Sequence, residues 1–355
     1  MLIDNAQIGG AALRGKVAVV TGSGRGIGRE TARVLAHLGA AVIIAEIEES
    51  GHDAQQQICA EGGQARFVQT DIADPAAWAG LQQQMLKAFG PAHILVNNAE
   101  VFKAAPLLEH SLEDWERIFA VNLRGAFLGI KTLLPDMLRQ KDGAIVTMRS
   151  ADGMPYLSAY LASKVGLRSL ALSVAAEVGA ECGVSVYCCG PGMVDTPGIR
   201  AAVPQLAPQY GLSPAEFIRQ SAPGGELMSA EAAATGLVGT LLHAAKFHGQ
   251  DIDSFVGLQQ LGLTVSGERF QAGEAAPAPQ PDPTVVPAPE AGADGPAPAA
   301  LRFNRALEDM LRTNLREYDE LSMFQRPIVK RMFQQGTGLK VEEWLKSAQE
   351  MTQRL

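Results

Sequence analysis

A tyrosine and a lysine four residues apart, in the segment SAYLASK, have a spacing that suggests chemistry. Tyr160 and Lys164 share one face if the segment is helical. A free tyrosine has a pKa of about 10 and is a poor base at neutral pH, but a nearby ammonium group stabilises the phenolate and lowers that pKa. The pair is therefore a candidate for proton transfer to or from a substrate hydroxyl group.

A glycine-rich segment near the start, TGSGRGIG at residues 21–28, is a candidate nucleotide-binding loop. It follows a run of β-branched residues and precedes a segment of helical period, and a helix N-terminus in that position attracts phosphate oxygens. Gly22 permits a tight turn, Gly26 lets the backbone approach a pyrophosphate, and Gly28 allows close packing.

Two carboxylates at the ends of the next predicted strands bear on the choice of nucleotide. Glu46 is placed to accept hydrogen bonds from both hydroxyl groups of an adenosine ribose, and it would repel a 2′-phosphate, so it favours NAD. Arg25, inside the glycine loop, is a candidate phosphate ligand and keeps NADP as the alternative. Asp71 is placed to meet the adenine, with a simple turn residue as the other interpretation.

The elements that must position these residues follow a regular alternation from Lys16 onward. Alternating strands and helices predict right-handed crossovers and a doubly wound α/β fold with a mainly parallel sheet. The strands are predicted at KVAVVT, AAVIIAE, ARFVQTD, HILVNNA, AIVTM and SVYCCG, with helices near residues 26–39, 50–62, 75–89, 112–139 and 156–180.

Changes in composition divide the chain into four parts. Residues 1–15 are an N-terminal arm, and residues 16–264 are the α/β domain. Residues 265–300 are a linker rich in proline and alanine, a composition that favours extended conformations. Residues 301–355 have apolar residues at helical spacing and predict a small helical extension. Its apolar face is expected to pack on the main domain, another subunit or a partner protein.

The overall composition restricts the partners and the compartment. A formal net charge of −8 without a basic run argues against nucleic acid or an anionic membrane as the main partner. The N-terminus does not read as a signal peptide, and no run approaches the roughly 20 apolar residues of a membrane span. The four cysteines lack metal-binding spacing, which predicts buried reduced thiols, no metal site and a cytoplasmic location.

Four motifs, in the order TGSGRGIG, ILVNNA, VNLRGAF and SAYLASK, resemble the short-chain dehydrogenase/reductase family. The resemblance runs from about residue 13 to residue 263. It implies a Rossmann-like sheet of strand order 3-2-1-4-5-6-7 and hydride transfer between NAD(P) and an alcohol or a ketone. In the family, the tyrosine and lysine that match Tyr160 and Lys164 are the general acid or base and its helper, and the lysine also holds the nicotinamide ribose.

The resemblance assigns roles to further residues. Ser150 matches the serine that hydrogen-bonds the substrate oxygen, with Ser158 as the competing candidate. Asn122 matches the asparagine that holds a water molecule between the lysine and solvent. The full set of candidate cofactor-binding residues is Gly22, Arg25, Gly26, Ile27, Gly28, Glu46, Asp71, Ile72, Asn98, Ala99, Tyr160, Lys164, Pro191, Gly192, Val194 and Thr196.

Two charged residues depart from the family's pattern. The family's NNAG reads NNAE, with Glu100 in place of glycine, and Arg149 replaces the first of two serines after the fifth strand. Because these strands are neighbours and ligands bind at their carboxyl ends, we expect Glu100 and Arg149 to form an ion pair beside the active site. A solvent-facing orientation, or an Arg149 that binds a substrate carboxylate, is the alternative. Asp152 fits either arrangement.

Two functions fit these features. The first is an NAD(P)-dependent oxidoreductase acting on a secondary alcohol or ketone, and the apolar residues 199–228 predict a lid over a hydrophobic substrate. The second is a nucleotide-binding regulator or scaffold whose C-terminal helices dock a partner. The complete serine, asparagine, tyrosine and lysine set favours the enzyme. A homodimer paired through the helices near 112–139 and 156–180 is expected, with a tetramer as the alternative.

Overall fold

The computed structural model describes residues 1–6, 8–151 and 153–263, so the predicted linker and helical extension lie outside the described residues. The strands are β1 (Val17–Thr21), β2 (Ala41–Glu46), β3 (Gln64–Gln69), β4 (Ile94–Asn97), β5 (Gly143–Met148), β6 (Val184–Gly190), β7 (Val194–Asp195), β8 (Met228–Ser229) and β9 (Asp251–Asp253). The α-helices are α1 (Gly26–His37), α2 (Ser50–Ala60), α3 (Pro75–Ala88), α4 (Leu112–Phe119), α5 (Ala126–Gln140), α6 (Ser158–Val178), α7 (Pro197–Leu206), α8 (Pro214–Ser221), α9 (Ala230–Leu241) and α10 (Ser254–Gln260).

The main sheet has seven strands in the order β3-β2-β1-β4-β5-β6-β9. All of its neighbouring strands pair in parallel, which confirms the predicted doubly wound fold. Its last strand is the ninth in the chain because the short strands β7 and β8 pair with each other instead. The strand order reverses between β1 and β4, and the crevice at that reversal is where such folds bind ligands.

The sheet is covered by helices on both faces, so its central strands are buried on both sides. All five residues of β1 are buried, and side chains that alternate along it enter opposite layers. Val20 packs in the layer that contains Leu35 and Leu237. Val19 packs in the other layer, with Leu95 and Leu133. This burial explains why the predicted strands read as nearly continuous apolar runs.

The single helix predicted near residues 112–139 is interrupted. A π-helical segment, Ala120–Gly125, separates α4 from α5. Such segments are rare and are frequent at functional sites. The Leu112–Gln140 stretch also has the length and hydropathy of a membrane span, which the sequence reading did not anticipate. However, Ile118, Leu133 and Met137 on this stretch are buried in the core, as in a helix that covers the sheet of a globular domain.

The N-terminal arm packs on the domain rather than extending from it. Residues Leu2–Ala6 form a 3-10 helix, and the Ile3 side chain is buried in the core. The Leu2 backbone N–H donates to Glu231 Oε1 on α9 at 2.8 Å. Arm and α9 are therefore held together by both apolar burial and a hydrogen bond.

The four cysteines are unpaired, but they are not all buried. Cys188 and Cys189 on β6 are buried, and burial raises the pKa of both thiols. Cys182 is partly exposed and Cys59 is exposed, which corrects the prediction of four buried thiols. In the described part of the chain, no group of three or more His, Cys, Asp or Glu side chains is arranged to hold a metal ion.

Candidate active site

A cleft of about 1690 Å³ lies over the carboxyl ends of the central strands. All predicted cofactor-binding residues except Gly28 and Lys164 line it, and so do Ser150, Glu100 and Arg149. The cleft extends from Glu46 at the end of β2 to Tyr160 on α6. The structure therefore gathers residues from widely separated motifs around one space.

The glycine loop has the backbone geometry that its sequence predicts. Gly22 has a φ of +63°, and a Cβ atom there would lie 2.7 Å from the Cα of Ala99. Gly28 faces the Gly22 carbonyl oxygen so closely that a Cβ atom would clash with it. Only glycine fits these two positions, because a side chain would push the loop away from β4. The loop leads directly into α1, whose first residues, Gly26 and Ile27, line the cleft.

Asn98 fastens this loop to the neighbouring strand. Its Nδ2 donates to the carbonyl oxygens of Thr21 and Gly22 at 2.9 and 3.1 Å. The Thr21 hydroxyl in turn accepts from the backbone N–H groups of Asn98 and Ala99, each at 3.0 Å. The structure shows that Asn98 holds the ends of β1 and β4 together, and its predicted contact with a cofactor stays a prediction.

Glu46 presents its carboxylate to the loop at the outer end of the cleft. Its Oε2 accepts from the Gly24 N–H at 3.0 Å, and its Oε1 accepts from the Ile47 N–H at 2.8 Å. Asp71 also lines the cleft, while its Oδ1 accepts from the Ala73 N–H at 2.9 Å. Asp71 is thus a turn residue and a wall of the cleft at the same time.

These features fit a bound nicotinamide dinucleotide. The glycine loop has no room for a Cβ atom at Gly22, and the N-terminus of α1 suits a pyrophosphate. The Glu46 carboxylate lies where ribose hydroxyl groups would be recognised. At the far side of the cleft, Thr196 caps α7 by accepting from the Ile199 N–H at 3.2 Å. Its methyl group would lie 3.3 Å from a Cβ atom on Gly26, so the two sides of the cleft meet here.

Tyr160 and Lys164 lie in the first two turns of α6, and Tyr160 lines the cleft. The Lys164 side chain is 2% exposed, and its Nζ donates to the Met148 carbonyl oxygen at 2.9 Å. Ser150 acts on the Tyr160 hydroxyl in the direction that lowers its pKa, whereas the hydroxyl of Ser158, the competing candidate, is buried without a partner among the described residues. The geometry therefore favours Ser150 as the serine that works with Tyr160.

Glu100, three residues after β4, contacts both Tyr160 and Lys164. Its Oε2 lies 2.6 Å from Lys164 Nζ and accepts from the Tyr160 hydroxyl at 3.0 Å. Burial of Tyr160 raises its pKa well above the ordinary value, and the nearby Glu100 charge raises it further, while the Ser150 hydrogen bond acts in the opposite direction. The Glu100 carboxylate thus contacts both members of the predicted catalytic pair.

The predicted ion pair between Glu100 and Arg149 is wrong. Arg149 Nε donates to Asp251 Oδ1 at 2.5 Å, and Arg168 Nε donates to the other oxygen of Asp251. Glu100 is instead drawn to Lys164, whose buried ammonium group needs a counter-charge. Asp152, the third predicted pocket residue, lies outside the described residues.

Asn122 lies in the π-helical segment and clamps the residue after Glu100. Its Oδ1 accepts from the Val101 N–H at 2.8 Å, and its Nδ2 donates to the Val101 carbonyl oxygen at 2.9 Å. A third bond joins Nδ2 to the Ser163 hydroxyl at 3.0 Å. The side chain therefore connects the β4 loop to α6, and its predicted role in holding a water molecule stays a prediction.

The inner part of the cleft is apolar. The predicted lid, residues 199–228, contains most of α7 and all of α8, and its side chains form a buried cluster that includes Val203, Leu206 and Phe217. The Phe102 ring lies edge-on to the Tyr160 ring at 6.1 Å between centroids. The apolar residues that line this part are Phe102, Met154, Leu157, Met193, Val203 and Leu206.

Two features close to the site were not predicted from the sequence. Asp251, which holds Arg149, begins a three-residue strand that apolar periodicity could not reveal, although an aspartate beside a strand end was a usable signal. Tyr156 has a φ of +67°, which is strained for an aromatic residue, and its carbonyl oxygen accepts from the Ala105 N–H at 2.9 Å. Nothing in the sequence around Tyr156 signals that conformation.

Fold and site together define a dinucleotide-binding α/β oxidoreductase. The sequence profile of the short chain dehydrogenases matches residues 16–206, which is more than half of the chain. The chain therefore belongs to the short-chain dehydrogenase/reductase family, as the motifs predicted.

Known proteins similar to this chain are dehydrogenases and reductases. The 3-alpha-(or 20-beta)-hydroxysteroid dehydrogenase of Mycobacterium bovis is 35% identical over 189 residues, which cover 52% of this chain and 71% of that protein. The crystal structure of levodione reductase is 27% identical with a TM-score of 0.63, and the match covers 70% of this chain and 98% of that one. A putative NAD(P) dependent gluconate 5-dehydrogenase from Beutenbergia cavernae, with bound NADP, is 29% identical with a TM-score of 0.59, covering 69% and 97%.

Proposed function

We propose that this protein is an NAD(P)-dependent oxidoreductase that interconverts a secondary alcohol and a ketone. The observation that carries the proposal is the cluster of Ser150, Tyr160 and Lys164 at the inner end of a cleft built for a dinucleotide. When bound, the nicotinamide group supplies the acceptor or the donor of a hydride. The protein's own residues must bind the substrate, orient its oxygen and move its proton.

Tyr160 is the residue that exchanges a proton with the substrate oxygen. Its hydroxyl lines the cleft, and Ser150 beside it can donate a second hydrogen bond to the same oxygen. Two donors directed at one oxygen polarise a carbonyl group and stabilise the alkoxide that forms from it. Asn122 positions the β4 loop that faces them.

The apolar inner wall favours a hydrophobic substrate. Phe102, Leu157 and Val203 offer surface without charge, so a bulky alcohol or ketone would bury its carbon skeleton there. A similar protein is named a hydroxysteroid dehydrogenase, and its name describes a bulky apolar alcohol. We therefore infer a preference for cyclic or long-chain substrates over small polar ones.

NAD is the proposed cofactor. The Glu46 carboxylate, held by two backbone N–H groups at the outer end of the cleft, favours ribose hydroxyls and repels a 2′-phosphate. Arg25 also lines the cleft and is the residue that would favour NADP. A similar structure holds NADP, so the choice must be measured on this protein.

We propose a homodimer that uses the outer faces of α4, α5 and α6. Among the described residues, these helices expose large apolar side chains that a protein interface would bury: Leu112, Trp115, Phe127, Leu138 and Val165.

The unpaired cysteines fit a reducing compartment, which supports a cytoplasmic location.

A substrate screen tests the proposed function. Secondary alcohols and ketones of increasing size are assayed with the oxidised and reduced forms of NAD and NADP, by the absorbance of the reduced nicotinamide. Tyr160→Phe is expected to lower kcat by about 100-fold or more, because the proton-transfer group is lost. Tyr187→Phe removes a hydroxyl group that bonds Thr240 on the far side of the sheet and serves as the control.

The screen can also reject the proposal. Full activity in Tyr160→Phe would overturn the proton-transfer role. A parent protein that binds a dinucleotide but turns over no compound would instead support the nucleotide-binding regulator.

A further inference from the structure

The Glu100 carboxylate lies between the two members of the tyrosine–lysine pair. The same oxygen, Oε2, is 2.6 Å from Lys164 Nζ and 3.0 Å from the Tyr160 hydroxyl. Lys164 is buried, and its other hydrogen bond goes to the Met148 carbonyl oxygen. Lysine and tyrosine thus both donate to one carboxylate oxygen.

This arrangement changes what Lys164 can do for Tyr160. A lone ammonium group would stabilise the phenolate, but here the Glu100 charge offsets it, and a phenolate would face a carboxylate at hydrogen-bond distance. Burial and Glu100 accordingly raise the pKa of Tyr160. A long-lived phenolate is disfavoured, yet a proton that leaves Tyr160 has an acceptor in contact with it.

Glu100 is also held firmly and reaches solvent. On one side, the Ala99 N–H bonds the Thr21 hydroxyl, and on the other, Asn122 bonds both backbone groups of Val101. The Glu100 side chain is 43% exposed, whereas that of Lys164 is 2% exposed. A proton on Glu100 can therefore pass to water directly, while a proton on Lys164 cannot.

We propose that Glu100 exchanges the proton of Tyr160 during turnover, and that Lys164 holds Glu100 in position as its counter-ion. This inference rests on the proposed function. In alcohol oxidation, the substrate hydroxyl proton moves to Tyr160 Oη as the phenolic proton moves to Glu100 Oε2. A bound oxidised dinucleotide would supply the acceptor for the hydrogen and electron pair of the substrate carbon–hydrogen bond. Glu100 then releases its proton to water, and ketone reduction runs the same transfers in reverse.

Other charged groups near Tyr160 and Glu100 also influence the pH at which Tyr160 ionises. Ser150 is the neutral group whose interaction lowers the pKa of Tyr160, and Arg149 after β5 is held by Asp251. The other charged residues that line the same cleft are Arg25, Glu46, Glu48, Asp71, Lys103, Asp114 and Arg117. None of them is altered in the two tests of this proposal, so their contribution is common to these measurements.

The first test needs no substrate. The ionisation of Tyr160 is followed by the ultraviolet absorbance of tyrosinate, as the difference between each protein and its Tyr160→Phe counterpart. Removing the carboxylate with Glu100→Gly is expected to lower the pH of ionisation by about one unit or more, because Lys164 then stabilises the phenolate without opposition. Glu100→Gln is expected to shift it in the same direction, and Glu109→Gln, an exposed residue outside the cleft, is the control. Coincident titrations of Glu100→Gly and the parent would overturn the proposal.

The second test uses the best alcohol from the substrate screen. Glu100→Gln keeps the size and the hydrogen bonds but cannot take a proton, so kcat is expected to fall by about 100-fold with little change in KM. Glu100→Gly is expected to recover part of that loss, with a changed kcat–pH profile, because Lys164 can then assist Tyr160 directly. A merely structural role predicts the opposite order, with Gln close to the parent and Gly worse. An unchanged pH profile in Glu100→Gln would also contradict the proposal.

The two tests separate the two claims. A parent without activity on any alcohol or ketone removes the proposed function, and with it the turnover role of Glu100. In that case the tyrosinate titration still decides whether Glu100 controls the proton of Tyr160.

Discussion

Arg149 Nε lies 2.5 Å from Asp251 Oδ1, which joins the residue after β5 to the first residue of β9. The arginine reaches across the end of β6, where a Cβ atom on Gly190 would lie 2.8 Å from its guanidinium carbon. Asp251 also accepts from Arg168 on α6, so one carboxylate balances two guanidinium groups. Because Ser150 directly follows Arg149, this network helps to fix the serine that bonds Tyr160.

Replacing Asp251 should destabilise the protein. Asp251→Asn leaves two guanidinium groups facing each other without a shared counter-charge, and we expect the free energy of unfolding to fall by about 1–3 kcal/mol. Urea denaturation measures the change. Asp195→Asn removes a pair with Arg200 whose side chains are 36% and 72% exposed, and it should cost less than about 0.5 kcal/mol. Equal losses in the two variants would show that the Asp251 network is an ordinary surface feature.

The glycine loop offers a second contrast between positions. Gly22→Ala places a Cβ atom 2.7 Å from Ala99 at a positive φ, so the loop must shift, and we expect a loss of about 1–3 kcal/mol together with weaker dinucleotide binding. Gly80→Ala on α3 meets no atom within 4 Å and should be neutral or stabilising by up to about 1 kcal/mol. Thermal unfolding and NADH fluorescence titration measure both effects. Normal NADH affinity in Gly22→Ala would argue against the loop as the pyrophosphate site.

The charge of Glu46 should control cofactor choice. Glu46→Gln keeps acceptor capacity towards the loop but removes the repulsion of a 2′-phosphate, so we expect the ratio of NADP to NAD affinity to rise about tenfold. Kd values for NADH and NADPH, from fluorescence titration at low and high salt, provide the measurement. Glu49→Gln, on a side chain that is 76% exposed and outside the cleft, should leave the ratio unchanged. A parent protein that already prefers NADPH would contradict the proposed role of Glu46.

The fold was predictable from the sequence because its signals are local. Buried parallel strands such as β1 read as apolar runs, glycines mark the loop at residue 22, and the alternation of strands and helices fixes the handedness of the crossovers. The break at Ala120–Gly125 was not predictable, since a π-helical segment keeps the apolar character of the helices around it.

The site was predictable as a set of residues but not as a set of contacts. Tyr160 and Lys164 lie four residues apart on one helix, so their place on a common face follows from spacing alone. The partners of Glu100 and Arg149 depend on which charges compete at the strand ends. Their positions on neighbouring strands made a pair between them reasonable. However, the buried ammonium group of Lys164 attracts Glu100 more strongly than Arg149 does. Asp251, the partner of Arg149, lies on a strand too short to be recognised from the apolar periodicity of the sequence.

The exposed apolar side chains on α4, α5 and α6 should control whether the protein forms a dimer. Phe127 on α5 is 43% exposed, and burying a charge in its place at a subunit interface would cost more than the interface gains. We expect light scattering after size exclusion to give a dimer of the 37.5 kDa chain for the parent, and a monomer for Phe127→Glu at the same concentration. Leu86→Glu introduces the same charge at a leucine on α3 that is 45% exposed, and it should leave the dimer intact. If Phe127→Glu keeps the parent mass while Leu86→Glu loses it, the interface lies on the α3 side of the domain.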